Sequence, residues 1–260
     1  MLPSFFIAHG SPVLAIEDNA YTQFLSGLGK AIARPKAIVI FSAHWESDIQ
    51  MLTNVEGYST IHDFGGFPEA LYRIVYPAKG DKQLAQEVES LLDKQGIHFE
   101  VDTKRGLDHG SWVILRLLYP EVDIPVVSMS VNPHITPEEQ YKIGKALSQL
   151  RSKDVLIICS GGTVHNLRAL NWDKEDDEVD DWALNFDEWL AGCLRNWDLT
   201  SLFKYHSLGP SAKLAVPPYG VEHFIPLFYA MGAADDARTA NLLQRSYKYG
   251  NLSHSVWQFG

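Results

Sequence analysis

Short, continuous apolar runs alternate with helical patterns along this chain, and that alternation constrains its fold more than any other feature. SFFIA at 4–8, AIVIFSA at 37–43, IPVVSMSV at 124–131 and DVLIICS at 154–160 are too short for helices. Runs of this kind are strands buried on both faces. Between them lie helical segments at 19–33, 80–95 and 110–119, the last stopped before Pro120. Leu84, Val88, Leu91 and Leu92 share one helical face, as do Trp182, Phe186, Trp189, Leu190, Cys193 and Leu194. Thr136-Pro-Glu-Glu reads as a capped helix start, with Pro at the first position and a carboxylate at the third. A short strand is expected at 98–102, a helix at 223–232, and strand-like runs near 240–248 and 252–259. Strands alternating with helices give an α/β fold, a central mostly parallel or mixed sheet with helices on both faces. No linker or repeat divides the 260 residues, so a single domain over 1–260 is expected.

Composition excludes several classes of function. The formal net charge is −10, which disfavours nucleic acid as a partner. No apolar run approaches the roughly 20 residues of a membrane span. The N-terminus lacks the basic and small-residue features of a signal peptide and reads as mature sequence. Two cysteines, Cys159 and Cys193, are too few for a disulfide framework, so the expected location is the cytoplasm. The acidic run EDDEVDD at 175–181 reads as a solvated helix N-terminus.

The ten histidines carry the functional signal. His9, His44 and His165 each stand at the carboxyl end of an expected buried strand, where open α/β sheets bind ligands. His109 in LDHGSW and His223 in PPYGVEHFIP lie in segments marked by Gly or Pro. Imidazole is the commonest protein metal ligand, and three histidines with an open position form a catalytic metal site. Gly10 and the Gly161-Gly162 pair allow close backbone approach beside these histidines. His62 sits in a loop, IHDFGGFP, whose aromatics are candidates to line a pocket. His98, His134, His206 and His254 read as surface or structural. No dinucleotide fingerprint, P-loop, HExxH, GxSxG or CxxC motif is present, which leaves a metal enzyme.

Six segments in order, HGSP at 9–12, SAHWE at 42–46, HDFGGFP at 62–68, DHGSW at 108–112, SGGTVHNL at 160–167 and EHFIPL at 222–227, resemble the DOPA-dioxygenase type of class III extradiol ring-cleavage dioxygenases. The resemblance implies one divalent metal per chain, Zn²⁺ or Fe²⁺, on His9, His44 and His223. His165 stands either at that metal or beside it as acid/base. His109 becomes a further catalytic or substrate-contacting residue, and Glu222 beside His223 is the alternative third ligand. The implied partners are a catechol and O₂, and the product is a muconic semialdehyde. Phe64, Trp45, Tyr219 and His62 are the expected substrate contacts, and Arg73, Arg105 and Arg168 compete to bind an acidic side chain. The alternative reading is a zinc-dependent hydrolase on the same fold, because Zn²⁺ activates water but cannot transfer electrons to O₂.

Overall fold

The four continuous apolar runs become the centre of one sheet. In the computed structural model, which describes residues 1–176 and 178–260, they form β1 (Ser4–Ala8), β2 (Ala37–Glu46), β5 (Val126–Val131) and β6 (Val155–Gly161). The remaining strands are β3 (Gln50–Thr53), β4 (Phe99–Asp102), β7 (Ala240–Lys248) and β8 (Leu252–Phe259). Their order is β4-β3-β5-β2-β6-β1-β8-β7. The central β5-β2-β6-β1 pairings are parallel. β4 pairs parallel with β3, whereas β3 joins β5, and β8 joins β1 and β7, in antiparallel fashion. The sheet is mixed, as expected.

Alternation of side chains along each strand divides the core in two. Phe6, Val39, Phe41, Ile157 and Cys159 face one layer, and Phe5, Ile7, Ile38, Ile40, Leu156 and Ile158 face the other. Each large apolar side chain so buried contributes about 1.5–3 kcal/mol relative to exposure. The helical segments are α1 (Ala20–Ala31), α2 (Glu69–Tyr72), α3 (Lys82–Lys94), α4 (His109–Leu118), α5 (Pro137–Ala146), α6 (Asp181–Arg195), α7 (Leu199–Leu202), α8 (Tyr205–Leu208), α9 (Ala212–Ala215) and α10 (Pro226–Ala233). α1 and α4 cover the second layer, and α3, α5, α6 and α10 cover the first. The cap of α5 is the expected reciprocal one. Thr136 Oγ1 accepts from Glu139 N at 3.3 Å, and Glu139 Oε2 accepts from Thr136 N at 2.8 Å.

Several expectations shift. The helix expected from 223 begins at Pro226, and His223 lies in a short 3₁₀ turn, Val221–His223. β2 runs three residues beyond its apolar run, so His44 is on the strand and not after it. The acidic segment 175–181 is only partly a helix start. Asp180 and Asp181 cap and open α6, Glu175, Asp176 and Glu178 are exposed before it, and Asp177 lies outside the described residues.

Candidate active site

The strand order β2-β6-β1 brings three carboxyl ends side by side, and their histidines meet there. His9 directly follows β1, and its backbone N–H donates to Gly161 O at the end of β6, 3.2 Å away. Gly10 then turns the chain at φ +56°, with a would-be Cβ only 2.5 Å from His254 Nε2, so an L side chain fits neither the backbone nor the space. His254 is structural, as expected: it is buried and stacked on Tyr21 at 4.8 Å. His223 is brought in by the close approach of its turn to β6. Its carbonyl accepts from Gly162 N at 2.8 Å and lies 2.2 Å from the position a Cβ on Gly161 would take. Gly161 is therefore required by backbone contact, whereas a Cβ on Gly162 would meet only ordinary contacts.

One ring nitrogen from each of His9, His44 and His223 falls within 4.8 Å of those of the other two. The partners of the opposite ring nitrogens show which face is free. His9 Nδ1 lies 2.9 Å from Ser160 Oγ, and that hydroxyl donates to Gly110 O at 2.5 Å. The serine therefore accepts from His9 Nδ1–H, leaving His9 Nε2 as a lone pair. His223 Nδ1 is 2.8 Å from Glu222 Oε1, which assigns its proton there and frees Nε2. His44 Nε2 lies 3.0 Å from His9 Nε2, and its Nδ1 is 3.4 Å from Asp63 Oδ2. With the Nδ1 proton turned to Asp63, His44 Nε2 also becomes a donor to a metal. Three convergent lone pairs, each oriented by an oxygen on the far side of the ring, fit a divalent ion. The Glu222 carboxylate is engaged with His223 Nδ1, so of these two neighbours it is the histidine that presents a free ring nitrogen to the group.

His165 is not one of the three converging nitrogens. It stacks face to face on His223, with centroids 3.6 Å apart and planes 8° apart. Its loop is tied to the segment before His223, since His165 N donates to Ala215 O at 3.0 Å. His109, the first residue of α4, lies against His44 at 3.9 Å between centroids. Its backbone N–H donates to Asp63 Oδ1 at 2.9 Å. Its buried Nδ1 is 3.0 Å from the same oxygen but off the line of a hydrogen bond. Asp63, His44 and His109 form a second, overlapping group of ligand type. We favour the first group because it is the more buried and each of its rings has an orienting oxygen.

Burial sets the protonation of the cluster. His9, His165 and His223 are held well below the ordinary imidazole value, first by desolvation and then by the charge of neighbouring histidines, His44 and His109 among them in each case. His44 is pushed down to about 4, by burial first and His109 second. Burial would raise Asp63, but the His109 hydrogen bond and charge, with that of His44, hold it down to about 2. Neutral imidazoles beside an ionised carboxylate are the state that binds metal. A pH dependence of the metal-free protein follows. The unfolded chain takes up protons on histidine below about pH 6.5, while the buried rings resist. Stability is full above that pH and is lost as pH falls toward about 4, by about 3 kcal/mol from His44 alone. Urea midpoints of metal-free protein at pH 7.5, 6 and 5 should fall in that order. A flat series would mean the histidines are not buried as neutral rings.

The expected substrate contacts separate into three places. Phe64 meets His109 edge-on at 5.7 Å and packs with Phe67, Tyr72 and Trp112, forming an aromatic wall beside the cluster. His62 stands behind that wall, 5.7 Å from Phe64, with its Nε2 on Ile74 O at 3.0 Å. Trp45 is buried under the Arg105 guanidinium, 4.6 Å from its ring. Tyr219 is half-exposed, with its hydroxyl on Asn166 Oδ1 at 3.0 Å, on the His165 side. Asp63 and Ser160 carry no sequence signal of their own as orienting residues. Asp63 adjoins His62 in HDFGGFP, a segment the sequence marks without marking this residue.

The comparisons with known proteins decide the family. Residues 3–260 match the model described as the catalytic LigB subunit of aromatic ring-opening dioxygenase. The chain belongs to this family. It is an extradiol ring-opening dioxygenase, an oxidoreductase. It is 42% identical to a 4,5-DOPA dioxygenase extradiol of Beta vulgaris, over 98% of this chain and 96% of that one. The protein of the same description from Escherichia coli (strain K12) is 35% identical, over 100% and 95%. A crystal structure of an uncharacterized Escherichia coli K12 protein superposes with a TM-score of 0.85 at 31% identity, covering both chains fully. LigB dioxygenases are metal-dependent, in keeping with the histidine cluster.

Proposed function

We propose that this chain opens the ring of a DOPA-like catechol with O₂ to give a muconic semialdehyde, using Fe²⁺ held by His9, His44 and His223. The observation that carries the reading is the convergence of three oriented imidazole nitrogens beside two further histidines and an aromatic wall. Names of the relatives supply the substrate class. The metal supplies the redox step that joins O₂ to the ring, which zinc, with its filled d shell, does not. This argues for iron over zinc, and for the oxygenase over the hydrolase.

The rest is done by the chain's own groups. Neutral His165 accepts a phenolic proton as the catechol binds, a task its burial prepares by keeping it unprotonated at neutral pH. Asp63 Oδ1 accepts the backbone N–H of His109 and lies beside its ring, so His109 is placed to return a proton to the oxygenated ring. Phe64 and its aromatic neighbours keep water from that side. Atoms balance: both oxygens of O₂ enter the product, and no external reductant is consumed. We take residues 1–260 as one catalytic domain, and its two free cysteines, Cys159 and Cys193, accord with a cytoplasmic setting.

The test is oxygen uptake by protein reconstituted anaerobically with Fe²⁺, over a panel of catechols. One O₂ consumed per catechol, with a yellow product, is the expected result. Full iron occupancy with no uptake on any catechol would overturn the proposal.

A further inference from the structure

We infer that Arg168, laid on Tyr219 at the rim of the site, is the residue that recognises the carboxylate of the substrate's side chain. This rests on the catechol reading above and adds the specificity determinant to it. Three arginines compete for this role, and their surroundings separate them. Arg105 is committed: its guanidinium donates to Asp108 Oδ2 at 3.1 Å and to His44 O at 3.2 Å, and covers Trp45. Arg73 is exposed and paired with Glu69 at 2.5 Å on the same helical turn. Arg168 differs from both. Its guanidinium centre lies 3.9 Å from the centroid of the Tyr219 ring, and among the described residues no carboxylate is paired with it. In a chain of net charge −10, an arginine without an acidic partner beside the site stands out.

Its position is fixed from two sides. Asn166 Oδ1 accepts from Arg168 N at 3.2 Å and from the Tyr219 hydroxyl at 3.0 Å, and Asn166 Nδ2 donates to Leu214 O at 2.9 Å. One buried amide thus ties the arginine's turn to the tyrosine that supports it. Both ends of this clamp lead to the catalytic rings. Arg168 is three residues after His165, a separation of at most about 10 Å along extended chain. Tyr219 is four residues before His223, and the position of a Cβ on the intervening Gly220 is 3.5 Å from His165 O. A catechol whose hydroxyls meet the histidines can direct its substituent toward this rim. Arg73, next in sequence to Tyr72 of the aromatic wall, is already paired. A guanidinium stacked on an aromatic ring keeps its N–H edge open, and that edge matches a carboxylate in bidentate fashion.

The test compares DOPA with its carboxamide, which keeps nearly the same shape and the amino group but replaces the carboxylate by a neutral amide, on the iron-loaded wild type, Arg168→Gln and Arg168→Lys. The expected result is a wild-type preference for DOPA in kcat/KM. In Arg168→Gln that preference should fall about 10- to 100-fold, the range for one charge-assisted pair. The change should fall mainly on KM, and Arg168→Lys should restore part of it. Anaerobic calorimetry should show the same loss in DOPA affinity. Tyr219→Leu should shift the preference in the same direction by a smaller factor. An equal loss for both catechols, or no loss for either, overturns the assignment while leaving the dioxygenase reading intact. Absence of oxygen uptake by the wild type on both would instead overturn the catechol reading and this inference with it.

Discussion

Replacing His9 by alanine is expected to abolish metal binding and activity together. His9 is the most constrained member of the cluster. It is 1% exposed, its Nδ1 is held by Ser160, and its Nε2 points to His44 and the open centre. Alanine leaves two nitrogens where three converged. Iron content should fall from one per chain to near zero. Oxygen uptake should fall at least about a thousandfold, about 4 kcal/mol of barrier. A second readout does not depend on activity. Iron at a hundred times its dissociation constant stabilises the folded wild type by about 2.7 kcal/mol. For a chain of this size that raises the melting midpoint by about 5–10 °C. The His9→Ala protein should fold, by circular dichroism, and show no such rise. A variant that still took up one iron per chain, with the full midpoint rise, would remove His9 from the ligand set.

The layout behind this prediction was visible in the sequence to different degrees. The central strands were legible because burial on both faces leaves continuous apolar runs with nothing to confuse them. That β1, β2 and β6 are neighbours was not legible, since pairing order depends on crossovers that periodicity does not report. β3 was missed for a physical reason. QMLT is half polar, and its buried Gln50 Nε2 and Thr53 Oγ1 donate to the backbone carbonyls of Ser130 and Ser128 across the sheet, at 2.9 and 3.2 Å. A strand held by polar pairing has no hydrophobic signature. The same limit hid the orienting oxygens. His9, His44 and His223 could be nominated from residue type and segment, but Ser160 and Asp63 act only through contacts between distant segments. Their residue types are common in loops for other reasons, so no local pattern separated them from turn formers.

His165 is the residue for which geometry adds most to the sequence, because ligand and base make opposite predictions for one substitution. The ring lies parallel to His223 at 3.6 Å, a separation of stacking, and it is outside the group of converging nitrogens. A ligand removed would take the metal with it, as at His9. A base removed leaves the three nitrogens, Ser160, Glu222 and Asp63 untouched. His165→Ala is therefore expected to retain iron at near wild-type occupancy and to show the same iron-induced rise in melting midpoint. Its kcat should fall about 10²- to 10⁴-fold, the usual contribution of a placed acid or base. A merely structural loss of stacking would also lower kcat, so the pH profile decides. In the wild type, the rate should fall on the acid side as His165 is protonated. In the variant that limb should disappear, and added imidazole, small enough to enter the vacated space, should restore part of the rate. Loss of iron in His165→Ala, to the degree seen for His9→Ala, would make it a fourth ligand and move the proton-transfer role to His109, whose ring already rests against His44 with Asp63 behind it.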